Sequence, residues 1–261
     1  MDRICRIYCN GYSHVPQVWI NTVSTGTNRL YYIESGTGEY LENGKMHQFI
    51  PGKIYFIPYH AGIPTFSSED DRIYHAYVNF SLSPPIVSKS VLCLDPSASD
   101  EIKAALDLFR KLCKTRYNSR LEKDPLPEDK RRKLDLLSAV TLYITEWAIN
   151  QNPDSLIQDK SIITALDLMH NFENKNLTIA DIASKCYLSY DGFIRKFTRY
   201  VGETPYTYFK KVKVNNAMRL RAEGVSAEEA AIACGYSDTS SMLHAISSIT
   251  KKRSSTEIRK K

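Results

Sequence analysis

Between residues 17 and 80 the apolar positions recur at every second residue, in short runs separated by turn residues. The runs QVWINTVS, RLYYIES, GEYLE, KMHQF, KIYFIP and RIYHAYVNF are rich in β-branched and aromatic side chains, the composition that fits a pleated, half-buried surface. Breaks fall at Thr25-Gly26, Gly36-Thr37-Gly38, Asn43-Gly44, Pro51-Gly52 and Ala61-Gly62. Asn43-Gly44, between Tyr40-Leu41-Glu42 and Lys45-Met46-His47, predicts a two-residue hairpin, because both turn positions need positive φ. Strands at this spacing predict a small antiparallel barrel or sandwich.

After Ser83-Pro84-Pro85 the period lengthens to that of helices. Ser99–Lys114 places Ile102, Leu106, Phe109 and Leu112–Cys113 on one side. A second helix, from about Pro127 to Asn150, is apolar on two sides: Leu134, Leu137 and Ile144 on one, Leu136, Val140, Tyr143 and Trp147 on the other. The second side needs a partner, either the preceding helix or a second copy of the chain. Gln151-Asn152-Pro153-Asp154-Ser155 reads as a linker, and a new helix begins near Asp159–Ser161.

The stretch Leu177 to Phe209 then reads as two short helices joined by a tight turn. Thr178 with Asp181 three residues on has the spacing of a capping box. Ser189 starts the second helix, with Phe193 and Phe197 inward and Arg195, Lys196 and Arg199 on other faces. Sliding the chain by 48 residues sets Thr178 on Ser226, Asp181 on Glu229, Ala183 on Ala231, Cys186 on Cys234 and Ser189 on Ser237. A slip of one more sets Phe193 on Met242 and Phe197 on Ile246. Two such units, joined by a helix from Pro205 to about Glu223, predict a tandem helix-turn-helix domain.

Charge changes the picture. The chain of 261 residues carries a net charge of +6, and residues 161–261 hold 16 Lys and Arg against 10 Asp and Glu, a surplus equal to the whole. A neutral front and a basic back mean that the back is the part to meet a polyanion. No apolar run reaches membrane-spanning length and the N-terminus has no signal-peptide core, so no membrane partner is expected. The six cysteines, Cys5, Cys9, Cys93, Cys113, Cys186 and Cys234, form no CxxC pair, which fits a reduced, cytoplasmic location.

The segment LTIADIAS, followed by LS, the FIRKF run and GETPYTY, then AMRL and AEEAAIACGYSD, resembles the DNA-binding domain of the AraC/XylS transcriptional regulators. The likeness covers about residues 160–259. The strand-rich front with its GTGEY turn looks like the cupin-like sensor domain that many of them carry. The resemblance implies recognition helices entering successive major-groove segments about one turn apart. It places Tyr190, Asp191, Ile194 and Arg195 in the groove from the first unit, and Thr239, Ser240, Leu243 and His244 from the second. Arg195 matches an arginine suited to bidentate guanine recognition, while Lys196, Arg199, Lys251 and Lys252 stand where phosphates pass. Gly202 and Pro205 match the family's turn out of the recognition helix. The chain departs from the pattern at Gly192, and in Met242-Leu243-His244-Ala245-Ile246-Ser247, which lacks the arginine. The second unit is therefore expected to read bases weakly.

Metal chemistry is not expected. The six histidines, His14, His47, His60, His75, His170 and His244, contain no H-x-H, and no catalytic triad, phosphate loop or dinucleotide fingerprint is present. Seven of the 17 tyrosines, Tyr31, Tyr32, Tyr40, Tyr55, Tyr59, Tyr74 and Tyr77, fall in the strand region. Trp19, Arg29, Tyr31, Tyr55, His75 and Tyr77 would line an aromatic pocket with one cation, suited to a sugar or a small carboxylate. Alternate tyrosines also arise simply from amphipathic strands. The reading is an α+β multidomain chain that is not an enzyme and needs no cofactor. A β-barrel sensor (1–90), a helical linker or dimerising segment (91–155) and an all-α tandem helix-turn-helix domain (160–261) make a DNA-binding transcription regulator answering to a small molecule. The alternative is a small-molecule-binding cupin whose helical tail docks proteins rather than DNA.

Overall fold

The structure, a computed structural model, describes residues 3–15, 27–42, 45–58, 65–83, 86–119, 122, 125–170, 176–222 and 224–258, with residues 219, 222 and 250–258 described by their backbone alone. The chain divides into two compact units, Met1–Leu156 and Ile157–Lys261.

In the first unit the described strands are β1 (Ile4–His14), β2 (Asn28–Ser35), β3 (Gly38–Glu42), β4 (Lys45–Gln48), β5 (Ile54–Ile57), β6 (Thr65–Ser67), β7 (Tyr74–Ser83), β8 (Leu92–Leu94) and β9 (Tyr117–Asn118). They pair as two antiparallel sheets, in the orders β8-β5-β2-β7-β1-β9 and β4-β3-β6. The strand expected over residues 17–24 and the turns at Thr25-Gly26, Asn43-Gly44 and Ala61-Gly62 lie outside the described residues. Glu42 pairs with Lys45 across β3 and β4, the register that a two-residue hairpin imposes.

Alternation gives the large sheet two different faces. Leu30, Ile54, Phe56, Ala76, Val78 and Phe80 point to one side, where they pack on two helices, α1 (Asp100–Cys113) and α2 (Glu128–Asn150). From α1 come Ile102, Leu106, Phe109 and Cys113, and from α2 Leu137, Val140, Ile144 and Ala148. Burial of each such large side chain is worth about 1.5–3 kcal/mol. Ser99 caps α1 through its hydroxyl, which accepts from the Ile102 N–H. Residues 91–155 thus complete the core of the same unit as the sheets. The second apolar side expected on α2 is divided: Val140 turns into this core and Trp147 packs against it, while Leu136 and Tyr143 stay exposed.

The other sheet face is aromatic. Tyr31 of β2 pairs with Tyr55 of β5 and with Tyr77 of β7, and the row continues to Gly11 of β1. A Cβ at Gly11 would stand 2.8 Å from the Tyr77 ring, so the ring needs glycine there. His75 lies edge-on to Tyr31, with centroids 5.1 Å apart, and stacks on Tyr77 at 5.0 Å. Its Nδ1 is 3.2 Å from the Ser13 carbonyl oxygen.

In the second unit the helices are α3 (Lys160–His170), α4 (Ile179–Lys185), α5 (Tyr190–Val201), α6 (Pro205–Ala222), α7 (Ala227–Ala233) and α8 (Thr239–Ile258). The first half of α6 packs on α3 and α5, and its second half on α7 and α8. Tyr208 of α6 meets the Phe197 ring at 5.5 Å and hydrogen-bonds His170 of α3 at 2.7 Å. Ala217 joins Ala230, Ala231, Cys234 and Met242 in the second core.

A part-buried polar network ties α1 to the sheet. Glu34 accepts from Arg110 at 2.6 Å and from the Tyr12 hydroxyl, and the Arg110 guanidinium lies over the Tyr32 ring. Glu34→Gln is expected to lower the stability of the first unit by about 1–2 kcal/mol, since it leaves part-buried Arg110 with only the more exposed Asp107 as a charged acceptor; chemical denaturation followed by tryptophan fluorescence would measure it. Burial holds His75 well below its ordinary value of 6.5, at about 4. Between these values the unfolded chain takes up a proton that the folded chain refuses, so stability is complete above the ordinary value and falls as pH drops toward 4. His75→Gln is expected to flatten that fall in thermal melts taken across the window, and an unchanged slope would place the titration elsewhere.

Candidate nucleic-acid interface

Both helix-turn-helix units start on a capping box. The Thr178 hydroxyl accepts from the Asp181 N–H while the Asp181 carboxylate accepts from the Thr178 N–H, and Ser226 and Glu229 repeat the arrangement. Hydrogen bonds from Thr178 and Ser226 hold the two carboxyls below their ordinary range. Each first helix ends at a buried cysteine, Cys186 or Cys234, where a small apolar side chain fits beneath the turn. Burial pushes the Cys186 thiol up, which keeps it a thiol.

The chain then turns through a residue with positive φ. In the second unit this is Gly235, φ 70°, and in the first it is Tyr187, φ 57°. The closing bonds match: Leu188 N–H to the Ala183 oxygen (3.0 Å) with Tyr187 N–H to Ser184 (2.9 Å), and Tyr236 N–H to Ala231 (3.0 Å) with Gly235 N–H to Ile232 (3.1 Å). This is the Schellman closure of a helix, whose left-handed position favours glycine. A side chain there costs about 1–2 kcal/mol.

The slip of one residue in the repeat has a structural cause. Ser189 caps α5, its hydroxyl accepting from the Gly192 N–H at 3.3 Å. In the second unit the cap moves from Ser237 to Asp238, whose carboxylate accepts from the Ser241 N–H at 2.7 Å. The second turn is therefore one residue longer. Gly192 sits in the first turn of α5, where a Cβ would come within 2.8 Å of the Ser189 Oγ, so the alanine or larger residue that helix propensity favours would crowd the cap.

Phe193 and Phe197 are fully buried, which turns Asp191, Arg195 and Arg199, spaced four apart, to the exposed side of α5. Tyr190 is 53% exposed at its start and Ile194 is half-buried. Lys196 is half-buried and engaged: its Nζ lies 2.8 Å from Asp159 Oδ2. Asp159 also accepts from Ser161 and Ile162 N–H at the start of α3, and its carboxyl stays below the ordinary range despite burial because Lys196 and Ser161 bond to it. This pairing has no local signal, since residues 159 and 196 are far apart along the chain.

On α8, Ser240, Leu243 and His244 are exposed and Thr239 half-buried, while Met242 and Ala245 face inward. Positions 239–249 contain no Lys or Arg. The α8 backbone continues through Lys251 and Lys252, whose side chains lie outside the described residues.

In the first unit, Arg29, Tyr31, Tyr55 and His75 are buried on the aromatic sheet face and Tyr77 is half-buried beside them. Burial pushes the Tyr55 and Tyr77 hydroxyls up. Trp19 and His60 lie outside the described residues. Among the described residues no group of His, Cys, Asp and Glu is placed to hold a metal ion, and no helix is long and apolar enough to cross a membrane.

Residues 182–259 match the family model described as a helix-turn-helix domain. A relative in Bacillus subtilis (strain 168), the uncharacterized HTH-type transcriptional regulator YbfI, is 34% identical over 68 residues, covering 26% of this chain and 25% of that protein. The match thus spans about a quarter of the relative's length. Among solved structures, ToxT from Vibrio cholerae superposes with a TM-score of 0.56 at 11% identity, over 94% of each chain. A wild-type ToxT structure with bound unsaturated fatty acid gives 0.57 at 10% identity, over 94% of this chain and 91% of that one. Residues 182–259 therefore form a helix-turn-helix domain, on a chain that shares the fold of ToxT.

Proposed function

We propose that this chain is a sequence-specific DNA-binding transcription regulator in which α5 does most of the base reading. The observation that carries this is the exposed Asp191, Arg195 and Arg199 stripe on α5, set against an α8 face without Lys or Arg over positions 239–249. Arg195 addresses a base edge and Arg199 a phosphate. Lys251 and Lys252, in the second half of α8, hold phosphates, so the second unit contributes charge more than sequence preference.

The first unit serves as the sensor. Arg29, 1% exposed and on the same sheet face as Tyr31, Tyr55 and Tyr77, favours an anionic ligand, and the fatty acid bound by ToxT supports a carboxylate over a sugar. Leu136 and Tyr143, exposed one above the other on α2, suit a second copy of the chain. The effector and the dimer are tested by thermal shift with sugar and carboxylate panels and by sedimentation of a Tyr143→Glu variant. Carboxylates are expected to raise the melting temperature, and the variant to sediment as a monomer.

Arg195→Ala is expected to cost about 1–3 kcal/mol at the preferred site and to relax preference at one base pair. Equal losses on all sequences, in binding measured against a site selected from random DNA, would reduce Arg195 to a phosphate contact. Asp159→Asn keeps an acceptor for α3 but frees Lys196 of its counter-charge. Its DNA binding is expected to tighten and to gain about one unit of salt slope; an unchanged slope would mean that Lys196 stays away from phosphate.

A further inference from the structure

Among the described residues of the second unit, four helix ends close through a residue in the left-handed region, and three of them use glycine: Gly202 (φ 85°), Gly224 (φ 86°) and Gly235 (φ 70°). The fourth uses Tyr187, the one non-glycine residue with positive φ among the described residues. The turn geometry demands this conformation, as the equivalent bonds around Gly235 show, and glycine would meet the demand without crowding of a Cβ against the backbone. A bulky side chain kept at such a position usually returns something through a contact in the fold. Tyr187 makes no such return, because it is 96% exposed.

The compensation therefore lies outside the chain, and its place can be read from the neighbours. Tyr187 stands three residues before Tyr190, so their Cα atoms are at most about 11 Å apart. It follows the exposed Lys185 and precedes the α5 helix that presents Arg195 and Arg199. Position 187 thus borders the N-terminal end of the helix assigned to the groove, two residues from the exposed Lys185.

We propose that Tyr187 anchors the DNA backbone, its hydroxyl donating a hydrogen bond to a phosphate oxygen at the edge of the groove entered by α5. The assignment rests on the regulator reading above and adds to it a contact that the second unit, with Gly235 at the equivalent position, does not make. The contact is neutral and sequence-independent. It holds register on the duplex rather than reading bases.

The test uses the full chain and a mixed-sequence duplex of about four helical turns, titrated at several salt concentrations, with Tyr187→Gly and Tyr187→Phe. Glycine relieves the crowding and loosens the unfolded chain, two effects that oppose each other, so Tyr187→Gly is expected to melt no lower than the wild type. It is expected to bind about tenfold more weakly, the scale of one hydrogen bond to a charged oxygen. The salt slope should not change, because no cation is lost. Tyr187→Phe, which keeps the ring, is expected to lose as much affinity as Tyr187→Gly. Wild-type affinity in either variant would overturn the anchor, and a lower melting temperature for Tyr187→Gly would show that the ring is held by the chain itself. A wild-type chain that fails to bind the duplex at low salt would overturn the regulator reading and the anchor with it. Wild-type binding that Tyr187→Gly leaves unaffected would overturn the anchor alone.

Discussion

One continuous helix fixes the geometry of the second unit. Tyr208, near the start of α6, is held between Phe197 of α5 and His170 of α3. Ala217, nine residues later, is locked among Ala230, Ala231 and Met242. At 1.5 Å per residue these anchor points stand about 14 Å apart, and no hinge intervenes. Each reading unit is too small to bury a core by itself, so each borrows one half of the same helix. The separation and rotation of the two recognition helices follow from that sharing. Small side chains set the distance of approach at the second end, whereas aromatic packing sets it at the first.

The first unit applies a similar economy to a sheet. Its large sheet gives one face to α1 and α2 and reserves the other for tyrosines, His75 and Arg29. Polar and aromatic side chains buried on such a face need partners, and the cross-strand rows supply them. The Tyr77 ring lies over Gly11, and His75 reaches the Ser13 carbonyl. The Glu34, Arg110 and Tyr12 network then fastens α1 to strands β1 and β2. Sheet and helices are thereby one body.

The second unit was legible in the sequence because its signals are local and repeated. Two capping boxes, two small residues beneath the turns and a helical apolar period all agreed, and the structure places each within a residue or two. The first unit was harder to read. Strand β1 escaped notice because Ile4 is exposed while the polar Asn10 and the adjacent Gly11 are buried along with Ile7, which breaks the usual alternation. The short strands β6, β8 and β9 are defined by their partners rather than by their own composition. Pairing between distant residues was equally hidden: nothing local connects Asp159 to Lys196, and tyrosine carries no tendency toward the left-handed backbone that Tyr187 adopts. Gly235, which does carry it, was readable in the same turn.

The position of the capping residue, Ser189 in one unit and Asp238 in the other, bears on how the two halves can diverge. An added residue inside α5 or α8 would turn everything beyond it by about 100°, swinging the inward phenylalanine or methionine out of its core. An added residue inside α6 would rotate one whole unit about the other. In the turn between helices, the same insertion only relocates a cap. If the halves descend from one duplicated ancestor, the turn is where their lengths can drift apart without loss of the fold. The extra residue between Cys234 and Asp238 sits at that tolerant point.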